Sequence, residues 1–527
     1  MSETNKARVC VPVCVRRADE LRPSVARAAE FADVVELRLD CLEEAQLTDA
    51  LSRLPSLLDE TQLPFIITYR PRGQGGGRDA SPDERLSLWR SLPERLRGVT
   101  GRGRLFVDLE LDLLESADAG SLGELFQSFR VICSHHDFRE TPADLEELFG
   151  RMARTRAEIL KVAARANSIT DCVEVLRLCG RGRWEGRECI AVSMGEAGVL
   201  TRVLAPAFGA FLTYGSLDAA QATAPGQVSA RELRHLYRVG GISPGTLVAG
   251  LVGSPVGHSL SPHMHNRAFA ALGLDAVYLP FEVADLPEFV RRMADPRTRE
   301  LGWNLRGFSV TAPHKRAVIQ HLDRVADNAA SVGAVNTVVV SDERGLEGYN
   351  TDADAALAPL ERMASERVFD LCGASVAVIG AGGAARAALW ALGERRARPT
   401  VFARDAAKAR AVAEEFGAES DALEGAGFHS FDVVINTTPL GTRGLLEAET
   451  PALARQLRGV RVAYDLVYNP AETRFLREAR EAGCLTVGGL GMLAAQAEAQ
   501  FRLWTEREPP PGLMLAAAEK QLSEVKV

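Results

Sequence analysis

Two lysines lie in sequence contexts that suit them for chemistry. Lys161 lies in the apolar run 158–164, downstream of His136, and Lys315 precedes Asp352. A lysine drawn into apolar surroundings loses the solvation of its ammonium ion and becomes a usable nucleophile or proton carrier. Each lysine also has an acid or base partner nearby in the sequence. These two constellations predict two active sites in one chain.

The chain has 527 residues, and its composition is that of a soluble globular protein. It is 46% hydrophobic and 25% charged, with a mean hydropathy of -0.05. This length exceeds one hydrophobic core, so two or more domains are expected. The net charge of -8 argues against a general binder of nucleic acid or of anionic membranes. With no apolar run long enough to span a bilayer, we expect a cytoplasmic enzyme acting on small molecules.

The nine cysteines are scattered along the chain and include no CxxC pair. This usage is typical of reduced, mostly buried thiols in a reducing compartment, which is the state we expect.

The first 240 residues contain short apolar runs that alternate with amphipathic segments. Eight such runs predict strands at 9–15, 34–40, 65–70, 105–110, 130–137, 158–164, 188–194 and 211–217. Eight strands alternating with helices predict a closed (β/α)8 barrel. Polar residues end several of these runs, where barrel enzymes place their sites: Glu36, Arg38, Asp40, Arg70, Glu110, His136 and Lys161.

Several motifs in the first half occur together in one enzyme family. They are ELRLD at 36–40, TYR at 68–70, SHHDF at 134–138, the strand bearing Lys161, SMG to TR at 193–202, and TAPGQ at 223–227. With these motifs, nearly all of residues 8–238 resembles type I 3-dehydroquinate dehydratase.

The resemblance implies Schiff-base chemistry. The Lys161 amine would condense with the substrate ketone, and the iminium would serve as an electron sink. His136 would take the α-proton and protonate the leaving hydroxyl, whereas His135 would face the other side of its strand. Binding of the substrate carboxylate and hydroxyls is implied for Glu36, Arg38, Arg70, Arg202, Thr223 and Gln227.

The Gly-rich loop 72–81 departs from the family pattern. Gln74 stands where the family usually has an acid, which removes one electrostatic partner of the catalytic histidine. Thr223 stands where serine is common and keeps the hydroxyl. The loop is either a mobile lid or an ordinary surface loop.

Residues 246–510 resemble shikimate dehydrogenase. The matching motifs are GSPVGHSLSPHMHN at 253–266, VTAPHK at 310–315, GAVNT at 333–337, GYNTD at 348–352, the later Asp465, Tyr468, Pro470 and Thr473, and GLGMLAAQ at 489–496. The resemblance makes Lys315 the proton donor to the developing alkoxide and Asp352 its partner. It also implies six substrate-binding residues: Ser259, Ser261, Thr311, Asn336, Tyr468 and Gln496. Ser309 stands where many relatives have asparagine.

A strand, a glycine turn and a helix start follow one another at 375–386, which is typical of dinucleotide binding. The expected cofactor contacts are Gly380, Ala381, Gly382, Gly383 and Ala384, with Val467 and Gly489. Arg404 and Lys408 suit the 2′-phosphate of NADP. Asp405 could repel that phosphate, but we favour its role as N-cap of a helix over 406–416.

The two resemblances concern consecutive reactions, from 3-dehydroquinate to 3-dehydroshikimate and then to shikimate. They imply an α/β protein with a TIM barrel at 1–238, a linker at 239–245, a substrate lobe at 246–352, a Rossmann lobe at 353–480, and a segment at 481–527 that returns to the substrate lobe. No metal site is expected, and the oligomeric state is left open. Two alternatives remain: a quinate-degrading enzyme that prefers NAD, and a regulatory protein derived from these domains.

Overall fold

The computed structural model describes residues 8–99, 102–117, 120–218, 224, 226–365 and 370–524, and these residues form three sheets. The first sheet is wholly parallel, with the order β7-β6-β5-β4-β3-β2-β1-β8. Its strands are β1 (Val9–Val13), β2 (Val34–Arg38), β3 (Phe65–Thr68), β4 (Leu105–Glu110), β5 (Arg130–Asp137), β6 (Ile159–Arg165), β7 (Glu188–Met194) and β8 (Thr213–Tyr214).

The first sheet curls into a barrel. β8 pairs with β1, and Phe211 N, just before β8, donates to Cys189 O of β7 at 2.7 Å, so the two edges meet. The surrounding helices are α1 (Leu21–Ala29), α2 (Glu44–Asp59), α3 (Pro82–Arg95), α4 (Leu111–Ser116), α5 (Gly123–Ser128), α6 (Leu145–Ala153), α7 (Asp171–Trp184), α8 (Val199–Leu204) and α9 (Ala230–His235).

Side chains fill the barrel interior in layers, because alternate residues of a strand face the same side. The floor is apolar and includes Val34, Ile66, Phe106, Ile132 and Ile159. Two residues further along each strand the interior becomes polar, with Glu36, Thr68, Asp108, Ser134 and Lys161, all buried. The functional candidates therefore lie on a packed apolar base, towards the carboxyl ends of the strands.

The second sheet is mixed and has the order β10-β9-β11-β13-β14-β12. β9, β10 and β11 are parallel, whereas β13 pairs antiparallel with both β11 and β14. The strands are β9 (Leu247–Gly253), β10 (Ala276–Glu282), β11 (Asn304–Val310), β12 (Arg324–Val325), β13 (Thr337–Ser341) and β14 (Gly345–Tyr349).

The third sheet is parallel and doubly wound. Its order, β17-β16-β15-β18-β19-β20, reads 3-2-1-4-5-6 when the strands are counted from β15, which is the Rossmann order. The strands are β15 (Ser375–Ile379), β16 (Arg398–Ala403), β17 (Glu419–Ala422), β18 (Val433–Asn436), β19 (Val462–Asp465) and β20 (Leu485–Val487).

Helices cover both sheets of the second half. They are α10 (Ser261–Ala271), α11 (Leu286–Phe289), α12 (Asp327–Val332), α13 (Thr351–Ala355), α14 (Ala358–Ser365), α15 (Gly383–Glu394), α16 (Ala406–Glu415), α17 (Ala454–Leu457), α18 (Arg474–Glu481), α19 (Leu490–Thr505) and α20 (Leu513–Glu524).

The barrel packs against the second sheet. Val203 and Leu204 of α8 share one apolar cluster with Val277 and Leu279 of β10, and α8 contacts β10 directly. Charged groups add to this contact at its edge, where Arg292 donates to Glu174 of α7 at 2.5 Å and to Glu300 at 2.9 Å, and Arg177 of α7 donates to Glu300 at 2.8 Å. The two halves therefore share a packed interface in addition to their chain connection.

The predicted fold class, a barrel followed by a two-sheet α/β unit, is confirmed. The expectation of nine reduced thiols was wrong in one respect. Cys14 and Cys41 form a disulfide, while six of the other seven cysteines are buried and only Cys372 is exposed. The two bonded residues follow the adjacent strands β1 and β2, which brings their Cα atoms to 5.4 Å. Among the described residues, no helix is both long and apolar enough to cross a membrane.

Candidate active sites

One cavity in the barrel collects the predicted residues of the first half. It is lined by Glu36, Arg38, Arg70, Gly75, His136, Phe138, Lys161, Ala163, Val192, Met194, Arg202, Tyr214, Ala224 and Gln227. Thr223, also predicted, lies outside the described residues. His135 is half-buried and is absent from the lining, as its opposite position on β5 predicts.

Lys161 is buried among polar groups, so the expectation of apolar surroundings was wrong. Its Nζ atom donates to Asp108 Oδ2 at 2.8 Å and to the Tyr214 hydroxyl oxygen at 2.8 Å, and it lies 3.5 Å from Glu36 Oε1. Its exposed fraction is 3%. The lysine is therefore held by directed contacts, which fix the position of its nitrogen at the floor of the cavity.

Asp108 is the anion at the centre of this cluster. Burial alone would raise its pKa, but Arg70 and Lys161 outweigh burial and hold the pKa well below the usual range of a carboxyl group. Arg70 donates to Asp108 Oδ2 at 2.7 Å and lies 3.8 Å from Glu110. Because Arg70 already pairs with these two carboxylates, it is poorly suited to bind the carboxylate of a substrate as well.

His136 is buried in the same cavity. Burial and the positive charges of Arg70 and Lys161 lower its pKa well below 6.5, so the imidazole is neutral at neutral pH and can accept a proton. Its Nδ1 atom has no hydrogen-bond partner among the described residues. Gln74 does not replace the missing acid at the ring, since its Oε1 atom accepts a hydrogen bond from the His136 backbone N–H at 3.3 Å.

The Gly-rich loop is docked over the cavity. Gly75 has φ +80°, and a Cβ there would lie 2.1 Å from the Phe138 ring. Arg38 holds the loop, since it donates twice to Asp40, at 2.9 and 2.7 Å, and once to Gly75 O at 3.3 Å. Asp40 in turn accepts from Gly77 N at 2.9 Å. The loop is therefore fastened to the mouth of the barrel, and only a glycine fits against Phe138.

Arg202 belongs to the short helix α8 and is 1% exposed. Burial lowers its pKa to about 10. The Thr213 hydroxyl donates to Arg202 O at 2.7 Å, which attaches the end of α8 to β8. This geometry presents a buried cation to the cavity, where an anionic group would stabilise it.

In the second half, Lys315 Nζ donates to Asp352 Oδ2 at 2.6 Å. Both residues are held by the segment between β12 and β13. Val335 N donates to Lys315 O at 2.8 Å, and Asn336 Oδ1 accepts from Thr351 N at 2.8 Å, at the start of α13. This attachment places Asp352 in the first turn of α13, opposite the lysine.

Three of the other predicted substrate residues follow strands of the second sheet: Ser259 and Ser261 come after β9, and Thr311 comes after β11. Thr311 packs on Gly253, because a Cβ on that glycine would lie 2.3 Å from Thr311 Cγ2. Ser259 is half-buried, and its hydroxyl accepts from Ser261 N at 3.2 Å. Gln496 is buried on α19, and Tyr468 packs against the apolar cluster next to that helix.

A buried polar chain lies beneath them. Ser309 donates to Gln500 Oε1 at 2.9 Å and is 2.8 Å from the Tyr278 hydroxyl, while Gln500 Nε2 donates to Thr337 Oγ1 at 3.1 Å. The serine at position 309 is therefore integrated into a network that sequence analysis did not predict.

The predicted cofactor residues form a glycine turn at the start of α15. Gly380 has φ +125°, and a Cβ there would lie 2.3 Å from Thr437 Oγ1, so the turn packs closely on the end of β18. A Cβ on Gly382 or Gly383 would meet nothing within 4 Å, which leaves this face open. Ala381 and Ala384 lie in the same turn. An open backbone at a helix N-terminus suits a pyrophosphate.

Two further predicted cofactor residues, Val467 and Gly489, touch each other. Gly489 N donates to Val467 O at 3.4 Å, and a Cβ on this glycine would lie 2.2 Å from Leu466 O. Val467 is held by Asp465, a buried carboxyl that accepts its N–H at 3.0 Å.

Arg404 and Lys408 are exposed beyond the end of β16. Asp405 is the N-cap of α16, and its carboxylate accepts from Lys408 N at 3.0 Å. Asp405 therefore has the capping contact that we favoured, and its carboxylate is directed at the N-terminus of α16.

Sequence reasoning missed Asp108 and Tyr214, the closest neighbours of Lys161. Asp108 could have been found, because it precedes the noted Glu110 by two residues and so shares its face of β4. Tyr214 ends the shortest barrel strand and carries no comparable signal.

The sequence matches three family models: type I 3-dehydroquinase at residues 9–244, shikimate dehydrogenase substrate binding domain at 251–338, and shikimate 5'-dehydrogenase C-terminal domain at 489–519. A "Bifunctional 3-dehydroquinate dehydratase/shikimate dehydrogenase, chloroplastic" of Arabidopsis thaliana is 33% identical over 525 residues, 97% of this chain and 84% of that relative. A "Shikimate dehydrogenase (NADP(+))" of Citrifermentans bemidjiense is 44% identical over 293 residues, 53% of this chain and 96% of that relative.

Among solved structures, a shikimate 5-dehydrogenase from Thermus thermophilus in complex with NADP(H) and shikimate is 39% identical. It covers 52% of this chain and 98% of its own, with a TM-score of 0.45.

The fold and its two sites define a fusion of a (β/α)8 barrel bearing a buried lysine with a two-lobed dehydrogenase of Rossmann type. With the match to the Arabidopsis thaliana relative over 84% of its length, the chain belongs to the family of bifunctional 3-dehydroquinate dehydratase/shikimate dehydrogenases.

The environment of His136 predicts its titration. In protein labelled with ¹⁵N-histidine, the ring signals that disappear in His136→Gln should titrate below pH 6.5. Since the pKa of the folded state is depressed, the histidine stabilises the fold above pH 6.5, and this contribution is lost as the pH falls. Arg70→Gln should raise the pKa by removing a positive charge, whereas the exposed control Arg53→Gln should leave it unchanged. Titration at or above pH 6.5 in the unsubstituted protein would contradict the prediction.

Proposed function

We propose that the chain catalyses two consecutive reactions, the dehydration of 3-dehydroquinate to 3-dehydroshikimate and the NADPH-dependent reduction of 3-dehydroshikimate to shikimate. The observation that carries the proposal is the burial of Lys161 in one cavity with His136 and Arg202. For the second half, the support is the contact between Lys315 and Asp352, whose helix α13 packs against α15 of the Rossmann lobe.

In the first reaction, the Lys161 amine attacks the substrate ketone and forms an iminium, which withdraws electrons from the neighbouring carbon. Neutral His136 takes the α-proton and returns a proton to the departing hydroxyl. Arg202 binds the substrate carboxylate. Hydroxyl recognition is assigned to Glu36, Arg38, Arg70, Thr223 and Gln227. Of these, Arg38 also fastens the loop over the cavity through its hydrogen bond to Gly75 O.

In the second reaction, bound NADPH supplies the hydride. Lys315 donates a proton to the carbonyl oxygen as negative charge develops there, and Asp352 orients the lysine. Ser259 and Ser261 hold the carboxylate, while Thr311, Asn336, Tyr468 and Gln496 contact the rest of the ring. Asn336 acts a second time through its hydrogen bond to Thr351, which positions the helix that carries Asp352.

The residues present fit NADP. The open face of Gly382 and Gly383 lies at the N-terminus of the twelve-residue helix α15, where a pyrophosphate is stabilised. Ala381, Ala384, Val467 and Gly489 complete the proposed contacts. Arg404 and Lys408 supply positive charge for the 2′-phosphate, while the carboxylate of Asp405 accepts a hydrogen bond from Lys408 N at the start of α16.

We propose the predicted domain division: a barrel at 1–238, a linker at 239–245, a substrate lobe at 246–352, a Rossmann lobe at 353–480, and a segment at 481–527 that returns to the substrate lobe. The return is supported by an apolar cluster that joins Met514 and Ala518 of α20 to Met264 and Phe269 of α10.

A cytoplasmic location also belongs to the proposal. It is supported by the seven cysteines that stay unpaired, whereas the Cys14–Cys41 bond is the exception.

Replacing Lys161 should separate the two activities. Lys161→Ala removes the amine that an imine requires, so dehydration should be abolished while shikimate oxidation with NADP continues. Borohydride added with 3-dehydroquinate should attach one ligand per chain, located on Lys161 by peptide mass spectrometry, and none in the variant. Attachment at another residue would contradict the assignment.

Lys315→Ala should lower the turnover of the dehydrogenase about 10²–10⁴-fold, because general acid catalysis typically contributes that much. Asp352→Asn should also lower it, by removing the charge that orients the lysine. Binding of both ligands should change little, and the dehydratase, assayed with its own substrate, should be unaffected. If Lys315→Ala keeps most of its turnover, the lysine is a substrate ligand or a structural ion-pair partner.

Arg404→Ala should raise the KM for NADP about 10- to 100-fold and change that for NAD little. The expected size follows from the loss of a hydrogen bond to a charged group, which contributes about 1.5–3 kcal/mol. Arg410→Ala, at an exposed arginine of the nearby helix α16, is the matched control. Equal use of NAD and NADP by the unsubstituted enzyme would contradict the assignment of Arg404 and favour the quinate alternative.

A further inference from the structure

Arg386 connects the Rossmann sheet to the second sheet. It lies near the start of α15, the helix that begins at Gly383 and whose N-terminus is proposed for the pyrophosphate. Its Nε atom donates to Val332 O at 3.0 Å, at the end of α12. The arginine side chain is only 11% exposed. One guanidinium group therefore joins the cofactor helix to the substrate-binding part of the dehydrogenase.

The carbonyl group that Arg386 contacts lies at a tight helix end. Val332 is the last residue of α12, and the final carbonyls of a helix have no partner within that helix. The next residue, Gly333, has φ +66°, the left-handed conformation that favours glycine. A Cβ on Gly333 would lie 3.0 Å from Arg386 Nη2. The contact therefore combines a charge-assisted hydrogen bond with close packing on the turn.

The rest of the guanidinium group is held by a neighbouring helix of the Rossmann unit. Nη1 of Arg386 donates to Glu415 Oε2 of α16 at 2.6 Å, and Nη2 donates to Glu415 Oε1. The guanidinium carbon also lies 5.1 Å from the centre of the Phe416 ring. A two-pronged pair of arginine with carboxylate fixes the plane of the guanidinium group as well as its position. The pair with Glu415 therefore directs Nε at Val332.

The segment 332–336 positions both proposed catalytic groups of the dehydrogenase. Val335 N donates to Lys315 O at 2.8 Å, which holds the lysine. Asn336 Oδ1 accepts from Thr351 N at 2.8 Å, at the start of the helix that carries the aspartate partner. Because the segment is short, a displacement at its first residue is passed on to both contacts.

A small apolar cluster accompanies the arginine where the two sheets meet. It consists of Val332, Ala334, Ala353 of α13 and Ala387 of α15, with Trp390 packed against them. Alanine side chains let helices approach closely, but they interlock less deeply than longer side chains. A directed contact such as that of Arg386 therefore adds most to the alignment of α15 with its neighbours.

We propose that Arg386 is a positioning residue of the dehydrogenase, which aligns the cofactor helix α15 with the segment 332–336 that holds Lys315. This inference rests on the proposed NADP-dependent reduction. Hydride transfer requires reacting atoms about 3–3.5 Å apart, and a misplacement of about 1 Å can lower the rate on the order of 10²-fold. Cofactor and substrate are proposed to bind at different sheets, so their separation depends on the contacts that join these sheets.

The first test needs no turnover. Hydrogen–deuterium exchange of the peptide 332–337, measured by mass spectrometry, should be faster in Arg386→Met than in the unsubstituted protein, because the contact at Val332 O is lost. NADP should slow this exchange in the unsubstituted protein and have much less effect in the variant. Equal exchange in both proteins would overturn the proposal. So would an unsubstituted protein that binds NADP without any change in this peptide.

Arg395→Met is the matched control. Arg395 is the C-cap of the same helix, and its Nε atom donates to Glu361 Oε1 of α14 at 2.8 Å. The substitution therefore removes a similar arginine–glutamate pair at the far end of α15. Exchange of the peptide 332–337 and its response to NADP should equal those of the unsubstituted protein.

The second test measures a single turnover of NADPH with 3-dehydroshikimate after rapid mixing. Enzyme and NADPH are equimolar and far above the Kd, so the amplitude of the fast phase counts the active sites. Arg386→Met should lower the rate constant about 10- to 100-fold at full amplitude. A purely structural role would instead lower the amplitude and keep the rate constant, which would overturn the proposal. If the unsubstituted enzyme oxidises no NADPH, the proposed reduction fails instead.

Arg386→Lys keeps the positive charge on α15. A lysine has one nitrogen in place of the planar fork, so it cannot reproduce the contacts with Val332 O and both oxygens of Glu415. Both the exchange rate and the rate constant should therefore change in the same direction as in Arg386→Met. A rate constant equal to that of the unsubstituted enzyme would overturn the proposal even if Arg386→Met failed to fold.

Discussion

The burial of a lysine–aspartate pair inside the barrel is the constraint on which the first site depends. Removing each ion from water costs several kcal/mol, and this cost is recovered only when the remaining hydrogen-bonding positions are filled. Asp108 therefore accepts from both Lys161 and Arg70, and Lys161 also contacts Tyr214. The apolar floor below this layer keeps water away, so the charges stay strongly coupled. Burial and the positive charges of Arg70 and Lys161 lower the pKa of His136 in the same cavity.

The lysine–carboxylate pair of the second site is positioned differently from the buried pair of the first. Lys315 and Asp352 are only partly buried, with side chains 30% and 15% exposed, so solvent screens their attraction. Their alignment depends on backbone contacts instead, because Val335 holds the lysine segment and Asn336 holds the start of α13. An acid in such a site can exchange protons with solvent after each turnover, whereas Lys161 must use groups within its own cavity.

Local patterns were sufficient to predict the barrel and the Rossmann sheet. The spacing of apolar runs predicted the strands to within a few residues, and strand ends identified Glu36, Arg70, His136 and Lys161. Contacts that depend on closure of the barrel could not be predicted from local sequence patterns. The pairing of Lys161 with Tyr214 spans 53 residues, and the bond between Cys14 and Cys41 depends on the register of β1 with β2. For the same reason an apolar strand around Lys161 did not imply an apolar neighbourhood.

The two halves are joined by packed side chains as well as by the chain connection. Helix α8, which carries Arg202, packs against β10 of the second sheet, and the apolar cluster is continuous across that contact. The ion pairs that cross the contact, Arg292 with Glu174 and Arg177 with Glu300, are partly exposed and individually contribute about 0–1 kcal/mol, so apolar packing provides most of the attachment. The helix that presents the cation to the dehydratase cavity is thus supported by the dehydrogenase half. Removing that half would expose apolar side chains of α8 and loosen Arg202 before it disturbed Lys161, which is anchored within the barrel itself.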